Sequence, residues 1–407
     1  MIPFLIFILF ILGIETYSYY GLKASLFSGN KIFSYLFVAT TLITLVGVVM
    51  LLITARTEYS NIKLSVNLMF GLAFSFILAK LFASSVFLFE DILRGFSWLV
   101  QSVIRFRLAE VPVRSNLGGI VALTLATILV VSMNYGVLFG RYQFKTHRQV
   151  LEFENLPEAF DGFKMVQISD LHLGTFDQMK RFQKGLDKLQ KLNPDLIVFT
   201  GDMVNNRAEE AFPFIQALQK LHAPFGKYSI LGNHDYGEYV RWNSNADKTS
   251  NLERLKQFQK EMGFKMLMNE HIQLQKNGDT IYLAGVENWG KPPFPQYGNL
   301  DKALEGLNSE NFIVLLSHDP THWREEILPS PTRVELTLSG HTHGMQFGIE
   351  IGKFKWSPVK YRYADWAGLF SENGRNLYVN RGFGNIGFPG RVGIWPEITL
   401  FEFRKKK

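Results

Sequence analysis

Three long apolar runs, residues 32–53, 64–89 and 117–139, constrain this chain more than any other feature of its sequence. A hydrocarbon layer about 30 Å thick is crossed by roughly 20 apolar residues in a helix, and each run is that long. Soluble helices of this length would carry a polar face, and these are almost free of charge. Residues 2–14 are also apolar but shorter, and reach spanning length only if 16–20 lies at the interface as a tyrosine belt. A cleaved signal peptide is the alternative, but a basic start and a small-residue cleavage site are both missing. Residues 1–140 therefore read as a transmembrane region of about four helices. Lys80 stands inside a span and is expected to snorkel or to face neighbouring helices. Ile92, Phe96, Leu99, Val103 and Phe106 recur at helical spacing, the pattern of an amphipathic helix lying in the membrane interface.

Orientation rests on a near tie. Lys23, Lys31, Arg94, Arg105, Arg107 and Arg114 fall on one side, against Arg56, Lys63, Arg141, Lys145 and Arg148 on the other. The larger cluster, from 94 to 114, leans towards the cytoplasm. Four spans then place the C-terminal domain outside, on a bacterial inner membrane.

The net charge of +7, from 43 Lys and Arg against 36 Asp and Glu, suits an anionic substrate or an anionic membrane surface. No basic helix or aromatic RNA-reading signature accompanies it, so nucleic acid is not an expected partner. The chain has no cysteine, which excludes disulfides and thiolate chemistry.

Residues 141–155 read as a basic, polar linker, and 156–407 as one α/β domain. Short apolar runs at 164–169, 196–200, 228–231, 281–286, 312–317, 334–339 and 377–380 look like strands. Amphipathic stretches at 179–192, 208–221, 252–262 and 300–307 look like the helices that cover them. Five of the strands are followed at once by polar motifs: Ser169-Asp170-Leu171-His172, Gly201-Asp202, Gly232-Asn233-His234-Asp235, Ser317-His318-Asp319 and Gly340-His341-Thr342-His343. Ligands gather at the carboxyl ends of strands in open α/β sheets, where loops converge. Carboxylates, an amide oxygen and imidazoles together make an N/O donor set for borderline ions such as Mn, Fe or Zn. Any one motif alone could be a polar turn or a helix cap. Five in one setting are hard to explain separately.

Together these motifs resemble the calcineurin-like metallophosphoesterases, whose pattern is D-x-H, G-D, G-N-H-[DE], H and G-H-x-H. The resemblance covers roughly 160–403. It implies a four-layer α/β/β/α sandwich with a cleft for two divalent transition-metal ions. Carried over residue by residue, it assigns Asp170, His172 and His343 to one metal and Asn233, His318 and His341 to the second, with Asp202 bridging. It leaves His234 as the acid that protonates the leaving oxygen and Asp235 as the carboxylate that orients His234. Hydrolysis by a metal-activated water would need no Ser or Cys nucleophile.

The tail Asn380-Arg381-Gly382-Phe383-Gly384, with Arg391 and Trp395-Pro396-Glu397-Ile398, is similar to a membrane-anchored bacterial phosphodiesterase branch. That branch includes pyrophosphohydrolases of UDP-2,3-diacylglucosamine. Between 349 and 370, Phe354, Trp356, Tyr361, Tyr363, Trp366 and Phe370 interleave with Lys353, Lys355, Lys360 and Arg362, a mixture suited to an anionic membrane interface or, for about half the aromatics, to core packing. The expected activity is phosphodiester or pyrophosphate hydrolysis on a phosphorylated, lipid-linked substrate at the bilayer. A phosphoprotein phosphatase on the same scaffold and a non-catalytic membrane sensor are the rivals.

Overall fold

The structure, a computed structural model, describes residues 2–54, 64–106, 108–352 and 354–406. Arg56, Lys63, Arg107 and Lys353, used in the readings above, lie outside them. The chain divides into two compact units, one reaching to Leu138 and the other running Phe139–Lys407.

The first unit holds α1 (Ile2–Ser25), α2 (Lys31–Thr54), α3 (Leu64–Ile104) and α4 (Asn116–Leu138). Among the described residues, three helices are long and apolar enough to cross a membrane, within Lys31–Met50, Val66–Ile104 and Asn116–Tyr142. The first expected segment is also one unbroken helix, α1. The interfacial helix expected after the third span is not a separate element. It continues α3, which at about 1.5 Å per residue is roughly 60 Å long, twice the hydrocarbon thickness. Lys80 does not snorkel. Its ammonium lies 2.7 and 2.9 Å from the two carboxylate oxygens of Glu15 on α1, and Thr41 on α2 donates to the same carboxylate at 2.6 Å. Three helices thus share one buried polar knot, which satisfies a charge that lipid could not solvate.

In the second unit the strands are β1 (Lys145–Phe153), β2 (Lys164–Ile168), β3 (Leu196–Phe199), β4 (Lys227–Ser229), β5 (Phe264–Met266), β6 (Glu270–Lys276), β7 (Asp279–Gly285), β8 (Ile313–Leu316), β9 (Leu336–Ser339), β10 (Ile349–Ile351), β11 (Phe354–Trp356), β12 (Gly368–Glu372), β13 (Arg375–Val379) and β14 (Glu397–Lys405). They form two six-stranded sheets, in the orders β1-β14-β2-β3-β4-β5 and β12-β13-β9-β8-β7-β6, and a ribbon of β10 and β11. The central strands run parallel and are buried on both faces, which is why they read as continuous apolar runs.

Between the sheets, Met165, Leu196, Val198, Leu283, Val314, Leu316, Leu336 and Leu338 share one core. The outer face of the first sheet packs Ile168, Ile197 and Phe199 against Phe182, Leu186 and Leu189 of α5 (Met179–Gln190) and Leu218 of α6 (Ile215–Gln219). The outer face of the second packs Ala284, Ile313 and Leu315 against Trp323, Ile327 and the short α7 (Leu300–Ala303). Helix, sheet, sheet, helix: the four expected layers are present.

The segment expected as a linker differs most. Within 141–155, residues 145–153 form β1, paired in parallel with β14, and the side chains of Leu151 and Phe153 enter the core between the sheets. Arg141 is buried and its guanidinium lies 2.5 Å from Asp177. Only Leu151 and Phe153 of β1 are buried and its other residues are exposed or half-exposed on an edge strand, so composition alone reads as solvent-exposed loop.

Candidate metal centre

β2, β3 and β4 are neighbours in one sheet, and β8 and β9 are neighbours in the other. Their carboxyl ends deliver all nine residues singled out above. Gln167 ties the two sheets together here, donating to Thr200 Oγ1 and to the Ser339 carbonyl, both at 2.9 Å. The turns are strained. Asp170, His172, Asp202, His341 and His343 all have positive φ, between 44° and 70°. Such conformations cost of order 1 kcal/mol or more each, and they persist only where surroundings hold them. Gly340 allows the two sheets to approach, since a Cβ there would lie 2.0 Å from Ser169 Oγ and 2.2 Å from Asp170 Oδ2. Gly384, in the tail motif, backs the first turn, where a Cβ would meet the Leu171 carbonyl at 1.9 Å.

The side chains converge in two groups, Asp170 with His172 and His343, and Asp202 with His318 and His341. In the first, His172 Nε2 and His343 Nε2 are 3.0 Å apart, and Asp170 Oδ1 is 3.2 Å from His343 Nε2. In the second, His341 Nδ1 lies 2.8 Å from Asn233 Oδ1 and 3.3 Å from His318 Nε2. Asp202 stands between the groups, its Oδ2 3.1 Å from His318 Nε2 and 3.7 Å from His172 Nε2.

Outer partners decide which nitrogen of each imidazole is free. His318 Nδ1 meets the Thr200 carbonyl at 2.7 Å, so its proton sits there and Nε2 is bare towards Asp202. His341 Nε2 meets the Tyr363 hydroxyl at 2.9 Å and leaves Nδ1 facing Asn233. Bare nitrogens aimed at carboxylate and amide oxygens are lone pairs facing lone pairs, an arrangement that a cation stabilises. The donor set therefore fits divalent transition ions. Without a metal, protons take part of that role. Burial would lower the His318 pKa, but the Asp202 carboxylate more than offsets it and pushes it up to about 10. Asp202 is held well below the usual carboxylate range, burial being outweighed by His318 and His234. With no carboxylate strong enough to offset burial, His172 and His341 are lowered.

His234 lies apart from both groups. Its backbone N–H donates to Asp202 Oδ1 at 2.9 Å, its ring packs edge-on to His172, and its Nδ1 meets the Asn205 carbonyl at 2.7 Å. Asp235, expected to orient it, does something else. The Asp235 carboxylate accepts backbone N–H groups from Asp202, Met203, Val204 and Gly232 at 2.8–3.3 Å, and so shapes the loop that carries Asp202. Burial, then the nearby Asp202 charge, push its pKa up to about 7.

Arg391 backs the first group, its guanidinium 3.2 Å from His343 Nδ1. It is fully buried and donates to the carbonyls of Gly384, Arg381 and His343. Three contributors carried no motif: Asn205, Tyr363 and Tyr239, whose hydroxyl accepts from the Asn233 amide at 2.8 Å while its ring packs on His234.

A family model described as "Calcineurin-like phosphoesterase" matches residues 163–345, and one described as "Probable Calcineurin-like phosphoesterase, transmembrane domain" matches 1–141. The "Uncharacterized metallophosphoesterase YkuE" of Bacillus subtilis is 31% identical over 301 residues, covering 72% of this chain and 97% of that protein. The chain belongs to the calcineurin-like metallophosphoesterases. It is a membrane-integrated hydrolase of that family. A "Transmembrane protein with metallophosphoesterase domain" of Danio rerio is 29% identical over 69% of this chain and 61% of its own length. The "UDP-2,3-diacylglucosamine pyrophosphatase LpxG" of Chlamydia trachomatis is 30% identical over 56% of this chain and 81% of that protein.

Proposed function

We propose that this metallophosphoesterase is a two-metal phosphodiesterase or pyrophosphohydrolase acting on a membrane-held, lipid-linked substrate such as UDP-2,3-diacylglucosamine. The position of Asp202 carries the reading, with one carboxylate oxygen within 3.7 Å of a histidine of each donor group. Asp170, His172 and His343 would hold one ion, Asn233, His318 and His341 the other, and Asp202 both. Two bound divalent ions supply Lewis acidity and an activated water.

The chain's own residues do the rest. The Asn205 carbonyl keeps the Nδ1 proton of His234, so Nε2 is the nitrogen free to hold a proton for the leaving oxygen. Asp235 and the strained turns keep Asp202 in place. Beside the second group, a cavity of about 180 Å³ is lined by Tyr363 with Lys291, Arg324 and Arg362. Glu325 and Asp365 on the same lining pair with Lys291 and Arg324, which leaves Arg362 as the cation for the remaining anionic part of a diester or pyrophosphate.

The lipid-linked half is supported by the membrane helices and by the UDP-2,3-diacylglucosamine for which the LpxG relatives are named. The basic cluster from 94 to 114, at the end of α3 and before α4, supports an extracytoplasmic catalytic unit on a bacterial inner membrane. A metal-reconstituted screen of the detergent-solubilised chain tests the substrate class. Turnover of diesters or nucleotide–sugar lipids well above monoesters is expected. Turnover of phosphopeptides alone would shift the reading to a phosphoprotein phosphatase.

A further inference from the structure

The ribbon of β10 and β11 is amphipathic in the inverse sense to an ordinary surface hairpin. Its pairs are Ile349 with Trp356, Glu350 with Lys355, and Ile351 with Phe354. Side chains alternate along a strand, so Glu350 and Lys355 share one face and the apolar pairs share the other. The polar face is the inner one. Glu350 pairs with Arg381, which is itself buried and held by Glu397 at 2.6 Å, and the Lys355 ammonium donates to the Ala367 carbonyl. The apolar face is open, with Ile351 73% and Phe354 62% exposed. Met345, just before the ribbon, and Tyr361, just after it, are also exposed.

The geometry points to the lipid bilayer as the medium this face meets. The ribbon is a membrane-dipping element of the catalytic unit, setting Ile349, Ile351 and Phe354 among acyl chains and Lys360 at anionic headgroups. Three observations carry this. Ion pairs hold the polar face inward, so the apolar face is the stable outer surface of the ribbon. The catalytic unit begins at Phe139, directly after α4 ends at Leu138, so the chain passes from the last membrane helix into it without a linker. The flanking charges are basic, which attracts an anionic leaflet and would repel the same face of a second copy. The turn after β9 carries His341 and His343 shortly before β10, so the ribbon follows two of the metal ligands directly along the chain. The contact does not depend on the proposed substrate, and it deepens that reading only by giving the lipid a route.

The chain has no cysteine, so Ile351→Cys and Phe354→Cys each allow one environment-sensitive fluorophore on the full-length protein. The probe is a nanodisc of phosphatidylcholine and phosphatidylglycerol holding one copy. Both labels should emit to the blue and be quenched several-fold more by headgroup-proximal nitroxide lipids than by aqueous iodide. A label at Phe212→Cys, 67% exposed on the same unit, should show the reverse. Iodide quenching at 351 and 354 equal to that at 212, with no response to nitroxide lipid, would overturn the contact. So would protection that appears only in discs holding two copies, which would make the face a protomer interface. The readout needs no turnover, so a protein inactive on every diester but quenched by lipid would fault the proposed chemistry and leave the contact standing.

Discussion

The Nε2 atoms of His172 and His343 lie 3.0 Å apart, although the two residues come from different sheets. The two nitrogens satisfy each other only when one of them carries a proton and the other does not, and His172 Nδ1 is buried without a hydrogen-bond partner. This juxtaposition makes sense as half of a coordination shell, and the predictions begin from it.

Asp202→Asn should lose most activity, because a neutral amide would replace the carboxylate between two dications. Elemental analysis of the metal-loaded wild type should approach two transition ions per chain, and the variant should fall short. Wild-type turnover by Asp202→Asn would remove the bridging role.

His234→Ala should keep both metals and lose roughly 10²–10⁴ in rate, the usual worth of a general acid. His341→Ala should instead lose one metal. A His234→Ala protein that could not be loaded would show that its imidazole is a ligand.

Asp235→Ala tests the corrected role of this carboxylate. Four backbone N–H groups would lose their acceptor, and unsatisfied buried donors cost about 1–3 kcal/mol each. Metal affinity and thermal stability should both fall. Loss of rate with stability and metal content unchanged would restore the view that Asp235 acts through His234.

Much of this was legible in the sequence, for a physical reason. Strands such as β3 and β8 are apolar on both faces because sheet and helix cover them, and the ligands stand directly after them. β1 was not legible, since an edge strand that carries Lys145, His147 and Arg148 and buries only Leu151 and Phe153 has the composition of a loop. The stretch at 208–221 reads as one helix, but Pro213 lacks a backbone donor, and a 3₁₀ segment over Ala208–Phe214 precedes α6. At the site, Asn205 acts through its carbonyl, which leaves no side-chain signature. Asp235 misled because adjacency to His234 along the chain sends its side chain to the loop instead. Of the aromatics between 349 and 370, Tyr363 and Trp366 are core residues, whereas Phe354 and Tyr361 are open.

Stability should depend on pH through Glu397. Burial would raise its pKa, but Arg381, together with hydroxyl donors Thr399 and Tyr378, holds it at about 2. An unfolded Glu titrates near about 4.3. The pair's contribution is therefore complete above that value and is lost as pH falls towards 2. The stability advantage of wild type over Glu397→Gln, read from unfolding midpoints in detergent, should shrink between pH 5 and pH 3. An advantage constant over that range would show that Glu397 is not held as a carboxylate.

A reporter fused after Lys407 should work only if it is of the kind active outside the cytoplasm. Fluorescence from a cytoplasmic-type reporter would reverse the orientation, and would place the site where UDP-sugars are made.

The pairing of β1 with β14 has a consequence for the living cell. A ribosome delivers β1 as soon as the membrane helices are laid down, yet its partner strand is synthesised some 250 residues later. β14 also separates β1 from β2. The first sheet cannot close in its final order until β14 has been made, and contacts so distant in sequence are slow to form. Throughout that interval the nascent chain is already anchored, and β14 is the strand that joins β1 to the rest of the sheet.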